Sequence, residues 1–441
     1  SFDCSVGQAE IDRKGDLLFL KFQQANSPNT RIKFSVVYEG EPANVLSEGP
    51  MQWKLDEKGR VWVSTLTEGI GPQFIMPCNA LLRSEADSTT VRVTVPENLV
   101  AVSNGHLVEV ISNRQAGTKT FRHEITNPIN IYNISLNAGH FVKFTEPYVD
   151  INGLERELTF QVLDYHLDTA VEFYEQTAII LKELESLFGE FPFWEDGFKI
   201  VESTFSAMEH QSAIAMGSNY RNSFRDFNST LIHEISHEWW GNSLTGMDYC
   251  DIWIHEGMAT YSEALVLERI YGAEAYDLKI KGYTRRVSNT IPILKECDVL
   301  YNSWVNPADY DIYNKGALMM HSLRKVVNND SLFLRTLFLI HQKYAKQNIS
   351  TAHIVTEFNK LLGADYTPLF DWYLKKTSPP LLEVYLDKEQ SQISYRWKNI
   401  PAFYQSNEVF LQLEDEEIKL SPTEEYQAVS VKKVSNAYFK V

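Results

Sequence analysis

The sequence predicts a multidomain α+β protein: a strand-rich, antiparallel N-terminal region, a mainly helical middle and a small β unit at the end. Three observations carry this. Apolar residues alternate with period two up to about residue 150. From about Asp168 the period becomes helical. At "TSPP", residues 377–380, the helical pattern breaks and short alternating runs return. The length, 441 residues, is too great for one ordinary core.

The first region reads as strands in "LLFLKFQ", "RIKFSVVYEG", "RVWVSTL" and "TVRVTVP". In the middle, "DTAVEFYEQTAIILKELESLFG" predicts one long amphipathic helix, and helices dominate to about Lys376. Past the breaker, "QISYRW" and "EVFLQLE" read as short strands. The expected divisions are 1–152, 153–377 and 378–441. No internal repeat or low-complexity tract interrupts them.

Composition excludes some functions. The formal charge of −17 argues against nucleic acid, whose phosphates need a basic surface. No apolar run reaches the roughly 18 residues of a membrane span. Cys4, Cys78, Cys250 and Cys297 form no C-x-x-C pair, so a cysteine zinc site is not expected; buried free thiols are the default reading and a disulfide stays open. The chain starts at Ser1 without a signal peptide, which reads as a trimmed or processed product.

The chemistry begins at "STLIHEISHEWWGNSLT", residues 229–245. Residues 229–240 read as a helix capped by Asn228 or Ser229 and closed at Gly241. Positions i and i+4 share a helix face, so His233 and His237 can aim two imidazoles at one point. Glu234 is rotated about 100° away, close enough to reach a water on the metal without ligating it. This H-E-x-x-H pattern is that of zinc hydrolases. Catalytic zinc takes three protein ligands and keeps a fourth position open. A second predicted helix, within "YCDIWIHEGMATYSEALVLERIYG", offers Glu256, 19 positions after His237. Glu263 lies two helical turns further on, where it can orient a ligating histidine or simply be surface. Trp239 and Trp240 read as packing.

Several ordered segments resemble the gluzincin aminopeptidases of the aminopeptidase N and leukotriene hydrolase type. They are the H-E-x-x-H helix with Glu256, "FSAMEHQSAI" at 205–214, "IYNKGALMMHSLR" at 312–324, the Pro77–Cys78 block and "LFDWYLKKTSPPLLEVYL". The resemblance covers nearly the whole chain. It implies an N-terminal β domain, a thermolysin-like catalytic domain holding one zinc ion, and a small C-terminal β domain. Ser206 and His210 stand where the G-x-M-E-N motif has Gly and Asn, which points to a bacterial M-E-H-Q-S subgroup. The β domain is shorter than usual, and nothing past Val441 matches the large helical domain of many relatives.

The resemblance also implies roles. His233, His237 and Glu256 hold zinc, Glu234 is the general base, and Tyr313 donates to the oxyanion. Glu209 and Glu68 bind the substrate's free ammonium. Ala207, Met208 and His210 complete the substrate-binding set, with the backbone at Ala207 and Met208 lying as an edge strand beside the peptide. The expected activity is removal of the N-terminal residue from peptides, with a lean toward a bacterial periplasmic or secreted setting. Three rivals remain. A thermolysin-like endopeptidase would lack the amine anchor. A lipid epoxide hydrolase would need a long greasy pocket. A silent binding protein would have no use for a complete catalytic set.

Overall fold

The computed structural model describes residues 2–4, 9–15, 17–23, 25, 27–42, 49–294, 297, 310–387, 391–400, 409–413, 417–431 and 437–440. The chain divides into two compact units, residues 1–44 and 45–441. In the first, Phe2–Cys4 pairs antiparallel with Phe34–Val36, and Ala9–Lys14 with Leu17–Phe22. The N-terminal body expected over residues 1–152 is thus not one unit.

The second unit opens with strands. Met51–Leu55, Val61–Thr65, Asn137–Gly139 and Val100–Val102 form one sheet in that spatial order. His106–Asn113, Thr118–Ile125 and Thr89–Pro96 form a second. A five-stranded mixed sheet follows, made of β1 (Phe141–Val149), β2 (Glu155–Leu163), β3 (Phe198–Ser203), β4 (Ala207–Met208) and β5 (Ile214–Gly217). Its spatial order is β1-β2-β3-β5-β4, which leaves the short strand β4 on an edge. The boundary expected at 152 falls in the β1–β2 turn. Nine antiparallel pairs run from Phe141↔Leu163 to Val149↔Glu155, so β1 goes with the sheet that follows it.

Nine helices stand among the described residues: α1 (Leu167–Tyr174), α2 (Gln176–Phe188), α3 (Ser229–Ser236), α4 (Trp253–Tyr271), α5 (Ala273–Thr284), α6 (Asp311–Val327), α7 (Asp330–Tyr344), α8 (Thr351–Leu362) and α9 (Thr367–Lys375). The single helix expected from Asp168 is two, α1 and α2, meeting at Glu175. After α9, Leu381–Asp387, Gln392–Lys398 and Gln427–Ser430 form one sheet, and Val409–Leu413, Glu417–Leu420 and Ala437–Lys440 another. Ile393, Tyr395, Leu411, Leu420 and Val431 make a separate small core there. No helix among the described residues is long and apolar enough to cross a membrane.

Buried polar ties fasten the strand-rich region to the five-stranded sheet. Lys199 Nζ on β3 donates to the carbonyls of Ser103 (3.1 Å), Gly105 (2.6 Å) and Ser212 (3.4 Å). Its burial lowers the ammonium to about 8, so these three acceptors offset a desolvation cost. Asn104 Nδ2 bridges the carbonyls of Asn133 and Gln211. Cys250 and Cys297 form a disulfide, Cα–Cα 5.2 Å, the alternative to the default reading of free thiols. The pair brings together two positions 47 residues apart, which no local spacing reveals. Cys78 is a free, partly buried thiol.

Helix α4 runs through the centre of the molecule, and every residue from Trp253 to Leu267 is buried. Its polar residues His255, Glu256 and Glu263 are buried with its apolar ones, so they face other groups of the protein and not solvent. The helix meets α6 at a glycine pair. A Cβ on Gly316 would lie 2.8 Å from Gly257 Cα, and one on Gly257 would lie 3.0 Å from Gly316 Cα. Only glycine permits so close a backbone approach. Gly316→Ala is therefore expected to force α4 and α6 apart and cost about 1–3 kcal/mol of stability. Thermal denaturation checks this; an unchanged Tm would show that the contact relaxes freely.

Candidate metal centre and amine site

Helix α3 begins where Asn228 accepts the Leu231 N–H (2.8 Å), so Asn228, not Ser229, is the cap. The helix ends at Ser236, earlier than the expected 240, because the backbone tightens there. The N–H groups of Trp239 and Trp240 both turn back to Ser236 O, at 3.1 Å. His237 still donates its backbone N–H to His233 O, so the two imidazoles remain one turn apart. Gly241 has φ 127°, and a Cβ there would lie 3.1 Å from His237 Nδ1 and 3.3 Å from His255 Cγ. Glycine thus permits both the turn and the histidine packing.

The structure brings His233, His237 and Glu256 together. Their Nε2–Nε2 separation is 3.0 Å, and Glu256 Oε2 lies 3.2 Å from His233 Nε2 and 3.5 Å from His237 Nε2. Donors held about 2.0–2.2 Å from a tetrahedral zinc lie roughly 3.3–3.5 Å apart, so the spacing fits zinc. The protons fit as well. His237 Nδ1 faces Trp240 O at 2.9 Å, and a carbonyl only accepts, so that nitrogen carries the proton. His233 Nδ1 faces Glu263 Oε1 at 3.1 Å and is likewise the donor. In the neutral rings both Nε2 lone pairs then point at each other and at a carboxylate. Three acceptors converging without a donor make a cation site.

Glu263 is held in turn. Lys279 Nζ on α5 contacts Glu263 Oε2 at 2.5 Å and Ser229 Oγ at 3.0 Å. Burial opposes ionisation of Glu263, but Lys279 and His233 hold its carboxyl below the usual range. Sequence reasoning misses Lys279, since nothing in its spacing links α5 to α3.

Three more carboxylates surround the triad. Glu209 and Glu234 place oxygens within 4.8 Å of His237, and Glu68 and Glu209 do so with Glu256. Burial pushes Glu234 up to about 8 despite His233 and His237 beside it. Burial also raises Glu209, and His237 only partly offsets this. Glu68 is raised by burial and then by Glu209, Glu256 and Glu234. Glu256 alone is held well below the usual range: the two histidines outweigh its burial. Four clustered carboxylates against two imidazoles call for positive charge, and a divalent ion with a substrate ammonium would supply it.

Tyr313 lies in the first turn of α6, its ring stacked on His233 with centroids 5.9 Å apart. Burial and the carboxylates around it raise its phenol well above the usual range, so it remains a donor. Ala207 and Met208 form the edge strand β4, paired only with β5 among the described residues. Its other edge suits an extended peptide. His210 is fully buried, edge-on to Phe205, with neither ring nitrogen hydrogen-bonded among the described residues. Burial lowers it to about 3, so it is a neutral ring.

The fold and site define a mixed α/β domain built around a two-histidine, one-glutamate metal centre. Residues 200–373 match the Peptidase family M1 domain, so the chain carries a domain of that family. It is 25% identical to leukotriene A-4 hydrolase of Xenopus laevis over 272 residues, which span 59% of this chain and 43% of that protein. It is 21% identical to leucyl aminopeptidase of Saccharolobus solfataricus over 408 residues, 86% of this chain and 50% of that one. The chain thus spans about half the length of these relatives or less. A mutant M1 zinc metallopeptidase from Deinococcus radiodurans, crystallised with a Tyr-Ser-Ala substrate bound, superposes with TM-score 0.73. That match covers 86% of this chain and 84% of the other at 20% identity, a likeness of fold.

Glu263→Gln should lower zinc affinity about 10- to 100-fold, because the histidine it orients loses an ionic partner. Competition with a chromogenic chelator measures this. Unchanged affinity would reduce Glu263 to a buried partner of Lys279 with no part in metal binding.

Proposed function

We propose that this chain is a zinc-dependent aminopeptidase that removes the N-terminal residue of peptides. One observation carries the reading: Glu68 and Glu209 gather beside Glu256, and Glu68 Oε1 is buried with no donor among the described residues. A buried carboxylate oxygen without a donor is costly. An incoming α-ammonium would satisfy it, and an internal peptide segment would not.

His233, His237 and Glu256 would hold the ion. A zinc ion there supplies Lewis acidity, lowering the pKa of a water and polarising the scissile carbonyl. Glu234 takes the proton of the attacking water and passes it to the leaving amine. Tyr313 donates its phenol proton in a hydrogen bond to the developing oxyanion. Glu68 and Glu209 hold the ammonium so that only the first peptide bond reaches Glu234. Ala207 and Met208 pair with the substrate backbone, whereas the full burial of His210 keeps its ring from touching substrate directly. The catalytic domain is read as running from β1 to the breaker at 377–380, between the strand-rich N-terminal region and the C-terminal β unit. The disulfide between Cys250 and Cys297 supports an oxidising compartment, periplasmic or extracellular. The formal charge of −17 disfavours nucleic acid as a partner.

A panel of aminoacyl amides, assayed with chelator and after zinc is restored, tests the activity. Turnover should vanish and return. N-acetylated counterparts should be poor substrates, and their efficient cleavage would favour the endopeptidase.

Glu234→Gln should lower kcat by about 10² or more with zinc retained. Tyr313→Phe should lower kcat by roughly 10² to 10³ with little change in KM. A rise in KM alone would remove Tyr313 from the oxyanion role.

Glu68→Gln should raise KM more than it lowers kcat, a loss of about 1–3 kcal/mol in kcat/KM. With Glu209→Gln the losses should be non-additive, since both acids act on one ammonium. Additive losses would place them on separate groups.

A further inference from the structure

Glu209 does not hold its own position. It is fastened at two points by one short segment of the strand-rich region. Tyr132 Oη donates to Glu209 Oε1 at 3.1 Å. Its neighbour Asn133 donates Nδ2 to Asn242 Oδ1 (2.7 Å), and Asn242 Nδ2 donates to Glu209's backbone carbonyl (2.8 Å). The same segment reaches the other acid, since Thr67, next to Glu68, donates Oγ1 to Tyr132 O at 2.6 Å. Tyr132 and Asn133 are both buried, in a single-turn 3-10 helix capped by Asn130.

Tyr132 is itself held in one sense of donation. Its oxygen lies 3.4 Å from His255 Nδ1. His255 is fully buried, and its Nε2 accepts the Gly246 N–H at 2.7 Å. An amide N–H only donates, so Nε2 is bare and Nδ1 carries the proton of the neutral ring. Nδ1–H therefore donates to the tyrosine oxygen. That leaves the phenol hydrogen with one direction to go, toward Glu209. The chain of donors runs from Gly246 N–H through His255 and Tyr132 to the Glu209 carboxylate, and reversing any link would set two donors or two acceptors face to face.

We propose that Tyr132, oriented by His255, is the positioning residue that fixes one oxygen of Glu209 and so presents the other to the substrate's ammonium. The inference deepens the aminopeptidase reading and rests on it for the identity of the cation. Neither residue touches the scissile bond. Both act on recognition of the free amine and leave the proton transfers at Glu234 and the donor Tyr313 in place.

The test compares two zinc-binding probes by calorimetry: leucine hydroxamate, and the same hydroxamate lacking the α-amino group. Tyr132→Phe removes only the donor. It should weaken the amine-bearing probe about tenfold and leave the des-amino probe within about twofold, with zinc content unchanged. For an aminoacyl amide, KM should rise by a similar factor with kcat nearly kept. His255→Leu should copy Tyr132→Phe. His255→Gln, whose amide can accept from Gly246 and donate to Tyr132, should restore most of the parent ratio. A purely structural role would weaken both probes equally. That result, or an unchanged amine to des-amino ratio in Tyr132→Phe, overturns the proposal. A parent protein that binds both probes but turns over no peptide would sink the activity reading, while the probe ratio would still decide the role of Tyr132.

Discussion

The approach of Gly257 to Gly316 is the constraint on which the site depends. Glu256 is the residue before Gly257, and Tyr313 lies three positions before Gly316 on the adjoining helix. With no side chain between the backbones, α4 and α6 cannot slide or part without losing the contact. Glu256 and the Tyr313 phenol are thereby carried on two helices in contact at one point. Sites mounted on helices hold their geometry more tightly than sites on loops. The burial of α4 on all sides has the same consequence, because no face of it is free to relax into solvent.

Electrostatics makes the centre costly without its cations. Glu68, Glu209 and Glu234 are each pushed upward by burial, and their mutual repulsion adds to this at Glu68. Two of the clustered acids are tethered, Glu209 by Tyr132 and Glu256 by the two histidines, and Lys279 holds Glu263 behind His233. Each tether limits the orientations a carboxylate can take. Repulsion between Glu209 and Glu256 is therefore poorly relieved by rotation, and bound positive charge would offset it.

The legibility of the site in the sequence followed distance along the chain. His233, Glu234 and His237 could be read because the helical period fixes their mutual placement within one turn. Glu263 could be read because two turns separate it from Glu256. Glu68 was legible only through the resemblance, since it arrives from another sheet. Lys279, Tyr132 and His255 were not legible, because each acts through a contact between elements that periodicity does not relate. The fold shows the same rule. Alternation and helical period marked the regions, whereas the ladder that carries β1 across the expected boundary at 152 and the Cys250–Cys297 bridge are tertiary facts. The early stop of α3 is local, yet it escaped too. The turn back to Ser236 and the positive φ of Gly241 end the helix, and the tryptophans at 239 and 240 continue an apolar pattern without continuing the helix.

These origins divide the site into two parts with different physical dependence. The proposed metal ligands and base, His233, His237, Glu256 and Glu234, come from α3, its C-cap and α4, and Tyr313 from α6, so their placement is set by helix packing. The proposed amine anchors, Glu68 and Glu209, lie where the strand-rich region meets the five-stranded sheet and helices. Glu68 belongs to the former, and Glu209 is held by Tyr132 and Asn133 from the former. Changes in the 49–139 region therefore act first on Glu68 and Glu209, whereas changes at the α4–α6 contact act first on Glu256 and Tyr313. The two parts are joined both by the hydrogen bonds of Tyr132 and Asn133 and by shared cores, in which Leu82 and Tyr132 pack with the helices and Trp62 and Val102 pack with Phe141, Leu163 and Val201, so a change on one side is felt on the other through packing as well as through polar contacts.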